Sequence, residues 1–175
     1  MSLSAIYWVS SYPNGIKSMR RAIKVFLPII MWSFVEFTSM AQPTGTYISE
    51  DAQEACVKYG EEYGICPELL MAMIERESSG RPDVENGGCK GMMQISDRWH
   101  KDRMERLEVT DIYDVDGNIH VGADYLAELF EKYEDVGIVL MVYHGEKDAA
   151  TKTELSDYAD WILTRSAELE RMNGK

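Results

Sequence analysis

The chain has 175 residues, 45% of them hydrophobic, and its formal net charge is −12. This length accommodates one hydrophobic core and is short for two separate domains. The acidic balance argues against a nucleic-acid partner, because phosphate backbones bind basic surfaces.

The first 41 residues have the pattern of a secretory signal peptide. Basic residues between 20 and 24 precede an apolar run at 25–35, and small residues follow at 39 and 41. The run is shorter than the ~18–20 residues that a membrane-spanning helix needs. We therefore interpret 1–41 as a signal peptide or a short N-terminal anchor, with 1–18 as an upstream extension before Met19. Export to the periplasm, the cell wall or the medium is expected, or anchoring through residues 20–40.

Residues 42–47 contain Pro and Gly without periodicity and predict a linker to a domain at 48–175. Ser49 suits the N-cap of a helix that runs to about Tyr63, where Gly64 ends it. Pro67 suits the first turn of a second helix that ends near residues 78–80.

The second helix places a glutamate on its apolar side. Its apolar stripe comprises Leu69, Leu70, Met73 and Ile74. Glu77 is the next residue on this stripe. Desolvation and the negative end of the helix dipole both raise the pKa of such a carboxyl, which suits it to general-acid chemistry.

The alternative for Glu77 is a partly exposed carboxylate that forms an ion pair with Arg76 or Arg81. Glu75 lies about 200° from Glu77 around the helix. We therefore expect Glu75 to face water.

The remainder of the chain predicts helices and a small irregular lobe. Four glycines between 80 and 91 favour a hairpin or irregular lobe over 81–95. Asp114 to Asn118 predicts a loop. Further helices are expected from about 96 to 107 with Ser96 as its cap, and at about 119–133, 136–143 and 154–171. The predicted fold class is therefore mainly α, with a small β element beside the helix that carries Glu77.

Candidate metal and disulfide motifs are weak. Asp114, Asp116 and Asn118 have calcium-loop spacing, but Ile119 stands where that loop requires glycine. The three histidines lack zinc-ligand spacing, so we expect neither metal nor cofactor. A bridge between Cys66 and Cys89 is conceivable, and Cys56 suits the core.

Four segments together resemble a known family. They are the helix end at Glu77, Gly-Met-Met-Gln-Ile at 91–95, the run Asn-Ile-His-Val-Gly-Ala-Asp-Tyr-Leu at 118–126, and the Tyr143 region. In this order and spacing they resemble the lytic transglycosylase domain of the goose-type lysozyme superfamily, over about residues 48–163.

The resemblance implies a lysozyme-like fold and an enzyme that cleaves peptidoglycan glycan strands. In that family one glutamate protonates the bond between N-acetylmuramic acid and N-acetylglucosamine. It then acts as a base toward the 6-hydroxyl and leaves a 1,6-anhydro end. Glu77 matches this glutamate.

The resemblance also assigns substrate-binding positions. Ser78, Met93, Gln94 and Tyr143 match residues that line the family's glycan groove. The family has Tyr-Asn-x-Gly where this chain has Tyr-His-Gly-Glu at 143–146, so the role of His144 is open. Tyr158 resembles the family's closing Tyr-Val segment, where we expect it to pack.

Two other functions remain open from the sequence. A goose-type lysozyme would use water at the same site, with Asp83, Glu85 or Asp97 holding that water. A non-catalytic glycan-binding or scaffolding module would use the same fold without chemistry. We expect a monomer whose partner is peptidoglycan, with a secretion, conjugation or cell-wall machinery as a further candidate partner.

Overall fold

The computed structural model describes residues 45–175, which form one mainly helical unit. The signal or anchor predicted for 1–41 lies outside the described residues, as do residues 42–44 of the predicted linker. Residues 45–47 have no regular secondary structure. Within the described part of the chain, no helix is both long and apolar enough to cross a membrane.

Six α-helices and one short hairpin follow one another between residues 45 and 175. The helices are α1 Glu50–Tyr63, α2 Pro67–Ser78, α3 Lys101–Arg106, α4 Val115–Lys132, α5 Val136–Tyr143 and α6 Asp157–Met172. The strands are β1 Glu85–Asn86 and β2 Cys89–Lys90, which pair antiparallel. A 3-10 turn covers Ala149–Thr151. The predicted mainly α class with a small β element is confirmed.

The starts of α1 and α2 agree with the prediction, and the residues at their ends explain why. The Ser49 hydroxyl accepts a hydrogen bond from the Ala52 amide, and Gly64 ends α1 in the left-handed region. Pro67 occupies the first position of α2, where a missing N–H costs nothing.

Helix α2 is the central element of the core. It packs against α1 on one side and α6 on the other, and α5 in turn packs against α4 and α6. All six residues from Leu69 to Ile74 are buried. Such a helix is apolar nearly all round, because neighbours cover most of its surface.

The prediction that Glu75 faces water is wrong. Glu75 is buried, with its carboxylate 2.7 Å from the Nε of Arg165 on α6. The Thr46 hydroxyl donates to the same carboxylate at 2.6 Å. A second Arg165 nitrogen donates to the Gly45 carbonyl at 2.9 Å. This hydrogen bond attaches the segment that precedes α1 to helix α6.

Three helix starts differ from prediction. Asp114 is the N-cap of α4, whose side chain accepts from the Gly117 amide, so the predicted loop at 114–118 is the start of that helix. Helix α3 begins at Lys101 rather than after Ser96, because the Ser96 carbonyl closes a separate turn with Trp99 and His100. Helix α6 begins at Asp157, capped by the Ser156 hydroxyl.

The conceivable bridge between Cys66 and Cys89 is absent, since both cysteines are free. The Cys66 thiol donates instead to the Glu68 carboxylate at 3.1 Å. Cys56 is buried in the core, as expected.

Candidate active site

Glu77 lies in the last turn of α2, where the backbone stops being helical. Ser79 and Gly80 adopt left-handed conformations with φ of 55° and 73°, and Pro82 follows. The helix end leaves Glu77 at the boundary between core and solvent, with 12% of its side chain exposed.

Two aromatic residues from other elements surround the Glu77 carboxyl. The Tyr158 hydroxyl from α6 donates a hydrogen bond to Oε1 of Glu77. The Nδ1 atom of His144, which follows α5, lies 4.0 Å from the same oxygen. The His144 and Tyr158 rings stack at 3.9 Å between centroids and 14° between planes. Among the described residues, Glu77 has these contacts in place of the ion pair with Arg76 or Arg81 that was the alternative from sequence.

Burial raises the pKa of Glu77 above its ordinary value. The hydrogen bond from Tyr158 and the charges of His144 and Arg76 act in the opposite direction, and desolvation is the larger effect. A carboxyl that keeps its proton to higher pH can serve as a general acid near neutrality. Glu77 therefore has the environment predicted from its place on the apolar stripe.

The segment Gly91 to Ile95 forms a tight turn beside this carboxyl. The Tyr143 hydroxyl donates to the Met93 carbonyl at 2.9 Å, which ties α5 to the turn. Burial raises the pKa of Tyr143, and the charge of Glu77 raises it further. Gln94 has a φ of 49°, and its amide nitrogen donates to the carbonyls of Gly91 and Val84.

The buried side chain of Asn118 stabilises the same turn through hydrogen bonds to backbone groups. Its Oδ1 accepts from the Met93 amide at 2.7 Å, and its Nδ2 donates to the carbonyls of Lys90 and Ile112. Gly91 packs directly on this amide, so that an added Cβ would lie 2.3 Å from Nδ2. These three bonds give Asn118 a structural role.

The other predicted groove residues are less exposed than a groove wall requires. Ser78 is buried, and its hydroxyl donates to the Ile74 carbonyl within α2 at 3.2 Å. Met93 is also buried, and its sulfur packs beside Gly122 of α4. The structure thus brings Glu77 and Tyr143 together, while Ser78 and Met93 lie behind the surface.

The three carboxylates that could hold a water for the lysozyme reaction either have another partner or face solvent. Asp97 forms an ion pair with Lys90 at 2.7 Å, which lowers the pKa of Asp97. Glu85 accepts a hydrogen bond from the Tyr113 hydroxyl at 2.9 Å. Asp83 is exposed in the loop after α2. Within the described residues, no carboxylate is among the groups that shift the pKa of Glu77.

The sequence did not predict that Tyr158 and His144 would approach Glu77. Tyr158 was expected only to pack, and no role was assigned to His144. Both residues approach Glu77 only because α5 and α6 fold against α2, so no local pattern reveals them. The resemblance of Tyr158 to a family segment was the one available signal.

Comparison with known proteins agrees with this architecture. The Transglycosylase SLT domain family matches residues 54–161. A transglycosylase of Enterobacteria phage PRD1 is 37% identical over 90 residues, which are 51% of this chain and 32% of the phage protein. A membrane-bound lytic murein transglycosylase F of Desulfosudis oleivorans is 31% identical over 80 residues, covering 45% of this chain and 17% of that protein.

A solved structure shows the same fold. The lytic transglycosylase Slt of Pseudomonas aeruginosa, crystallised as an inactive mutant with glutamine in place of a glutamate, aligns with a TM-score of 0.58 at 16% identity. The alignment covers 68% of this chain and 24% of Slt. This chain therefore spans less than a third of the Slt chain and about a third or less of the two sequence relatives. Because the family match extends over more than half of the sequence, the chain belongs to the Transglycosylase SLT domain family.

Proposed function

We propose that this chain is a peptidoglycan lytic transglycosylase in which Glu77 is the general acid and then the general base. Glu77 protonates the glycosidic oxygen between N-acetylmuramic acid and N-acetylglucosamine. The resulting carboxylate then takes a proton from the 6-hydroxyl of the muramic acid, which attacks its own C1 and forms the 1,6-anhydro ring. Glu77 ends the cycle protonated, so the reaction consumes no water.

The observation that carries this proposal is the isolated, desolvated carboxyl of Glu77. Intramolecular attack by a substrate hydroxyl requires one carboxyl with a raised pKa, whereas most hydrolytic glycosidases use two carboxyls. A second carboxylate close to Glu77 would raise its pKa by repulsion. Among residues 45–175, the charged groups that act on Glu77 are His144 and Arg76, and both lower its pKa.

We propose different contributions for the four predicted substrate-binding residues. Gln94 uses its amide nitrogen internally, and within the described residues its Oε1 accepts no hydrogen bond, so it can receive one from a sugar N–H or hydroxyl. Tyr143 supports the turn beside Glu77. Ser78 and Met93 are buried, and we assign them to the inner side of the groove wall.

Product analysis tests this proposal. The full chain would be incubated with purified peptidoglycan, and the released fragments would be treated with borohydride before mass analysis. Borohydride reduces the free ends made by hydrolysis and leaves 1,6-anhydro ends unchanged. Anhydro fragments are the expected product, whereas reducible ends would indicate the lysozyme reaction. Binding to peptidoglycan without release would indicate the glycan-binding module.

We also propose export of this chain through its N-terminal segment, which the basic and apolar pattern at 20–41 supports. Expression in a bacterial host followed by N-terminal sequencing would distinguish cleavage near Ala41 from a retained anchor. A monomer is expected on gel filtration. Association with a secretion, conjugation or cell-wall machinery would be tested by affinity purification from the native host.

A further inference from the structure

His144 occupies the position at which the family motif has asparagine, and it lies directly at the acid. The residue follows α5 as its C-cap, and 47% of its side chain is exposed. Its ring stacks on Tyr158, and its Nδ1 lies 4.0 Å from Oε1 of Glu77. An imidazole can carry a charge and stack as an aromatic ring, whereas asparagine can do neither.

We propose that His144 is a positioning residue that fixes Tyr158 against Glu77 and places a basic imidazole 4.0 Å from the acid. This inference rests on the proposed lytic transglycosylase function.

The stacking determines which carboxyl oxygen delivers the proton. The parallel His144 ring restricts rotation of the Tyr158 side chain, and the Tyr158 hydroxyl is the donor to Oε1 of Glu77. With Oε1 occupied as an acceptor, the acidic proton of Glu77 resides on Oε2. His144 therefore acts through Tyr158 to orient the proton, and a small misplacement of such a proton is costly to the rate.

The charge of His144 acts separately from the stacking. A gap of 4.0 Å exceeds a hydrogen-bond distance, so the imidazole influences Glu77 through its field. A protonated His144 favours the ionised form of Glu77 and lowers its pKa. Removing this charge while keeping the ring therefore lets Glu77 keep its proton to higher pH.

The other ionisable groups near this pair are Tyr143 of α5 and Cys89 of β2, on which the charge of Glu77 acts, together with Tyr158, Arg76 and Glu146. Tyr158 from α6 stacks on His144, and Arg76 of α2 acts on Glu77 in the same direction as His144. Glu146, in the loop after α5, is influenced by His144. The Glu146 carboxylate is already paired with Lys152 and hydrogen-bonded to Ser156 at 2.5 Å each. Glu77 is therefore the carboxyl near His144 that lacks a cationic hydrogen-bond partner.

Two substitutions separate stacking from charge. His144→Phe keeps an aromatic ring without a charge, and His144→Ala removes both. Rates would be measured against pH with the full chain and a soluble, uncrosslinked glycan strand. For His144→Phe we expect kcat within about threefold of wild type. The alkaline limb of the pH profile of the rate should lie about 0.5 pH unit higher. For His144→Ala we expect an upward shift at least as large, because the Tyr158 hydrogen bond is weakened as well, and a kcat about tenfold lower, with KM little changed.

A titration of the carboxyl itself tests the inference without depending on activity. In protein with 13C-labelled glutamate, the Glu77 carboxyl resonance, assigned by its absence in Glu77→Gln, should titrate about 0.5 pH unit higher in His144→Phe than in wild type. Identical titrations, together with wild-type kcat in His144→Ala, would overturn the inference. An increase in KM at unchanged kcat would also overturn it, because it would make His144 a substrate contact. An inactive wild type would instead refute the proposed function, and the carboxyl titration would still decide the inference.

Discussion

The Tyr158 hydroxyl donates a hydrogen bond to the Glu77 carboxyl across 81 positions of sequence. Glu77 lies in the last turn of α2, and Tyr158 lies in the first turn of α6, so the bond forms only when these helices pack together. The acid and the group that donates to it thus come from segments that are distant in sequence.

Replacing Tyr158 by Phe should raise the pKa of Glu77. The hydroxyl donates to the carboxylate and stabilises its ionised form, so its loss favours the protonated form. A hydrogen bond to a charged group contributes about 1.5–3 kcal/mol, which corresponds to about 1–2 pH units. The alkaline limb of the pH profile of kcat/KM should move upward by this amount. Because Phe keeps the ring stacked on His144, an unchanged limb would show that the hydroxyl does not govern the acid.

The buried ion pair between Glu75 and Arg165 should contribute strongly to stability. The Glu75 side chain is 1% exposed, and Arg165→Ala would leave its charge buried with only the Thr46 hydroxyl as a side-chain donor. Removing one partner of such a pair costs about 3–5 kcal/mol in the free energy of unfolding. Urea denaturation would measure this loss.

Glu168 provides the matched control, since it also pairs with Arg165, at 3.2 Å, but is 44% exposed. Glu168→Gln should cost less than about 1 kcal/mol. Equal losses in the two variants would contradict the importance assigned to the buried carboxylate.

Replacing Asn118 by Ala should destabilise the turn that holds Met93 and Gln94. The Met93 amide and the Ile112 carbonyl lose their partner, whereas the Lys90 carbonyl loses one of two bonds and still accepts from the Ile95 amide. Each unsatisfied buried group costs about 1–3 kcal/mol. We therefore expect a loss of at least about 2 kcal/mol by urea denaturation. Asn86→Ala in the exposed strand β1 should change stability by less than about 0.5 kcal/mol, and a comparable effect at both sites would refute the role of Asn118.

Two glycines of the hairpin lobe should respond differently to alanine. Both have positive φ, 74° for Gly91 and 61° for Gly87. A Cβ on Gly91 would lie 2.8 Å from the Ile112 carbonyl and closer still to Asn118, whereas a Cβ on Gly87 meets nothing within 4 Å. Gly87→Ala should cost about 1–2 kcal/mol for its backbone conformation alone. Gly91→Ala should cost about 1–3 kcal/mol more from overpacking, and equal thermal shifts would contradict this difference.

The sequence predicted those features that short segments specify. Ser49, Gly64 and Pro67 bound α1 and α2 through their own backbone chemistry, and the periodicity of α2 pointed to Glu77. The errors have a common physical cause. A helical wheel cannot show that a second helix covers the polar face of α2. Glu75 was therefore expected in water, although it forms an ion pair with Arg165 of α6. Asp114 can begin either a loop or a helix, and the packing of α4 on α1 favours the helix.

The most direct test of the account is peptidoglycan digestion by the full chain and by Glu77→Gln side by side. Glutamine keeps the size of the side chain and cannot supply the proton, so circular dichroism and the melting temperature should be close to those of wild type. The account predicts anhydro fragments from wild type and a rate about 10²–10⁴-fold lower from the variant. Release of the same fragments at a similar rate by Glu77→Gln would contradict the assignment of Glu77 as the acid.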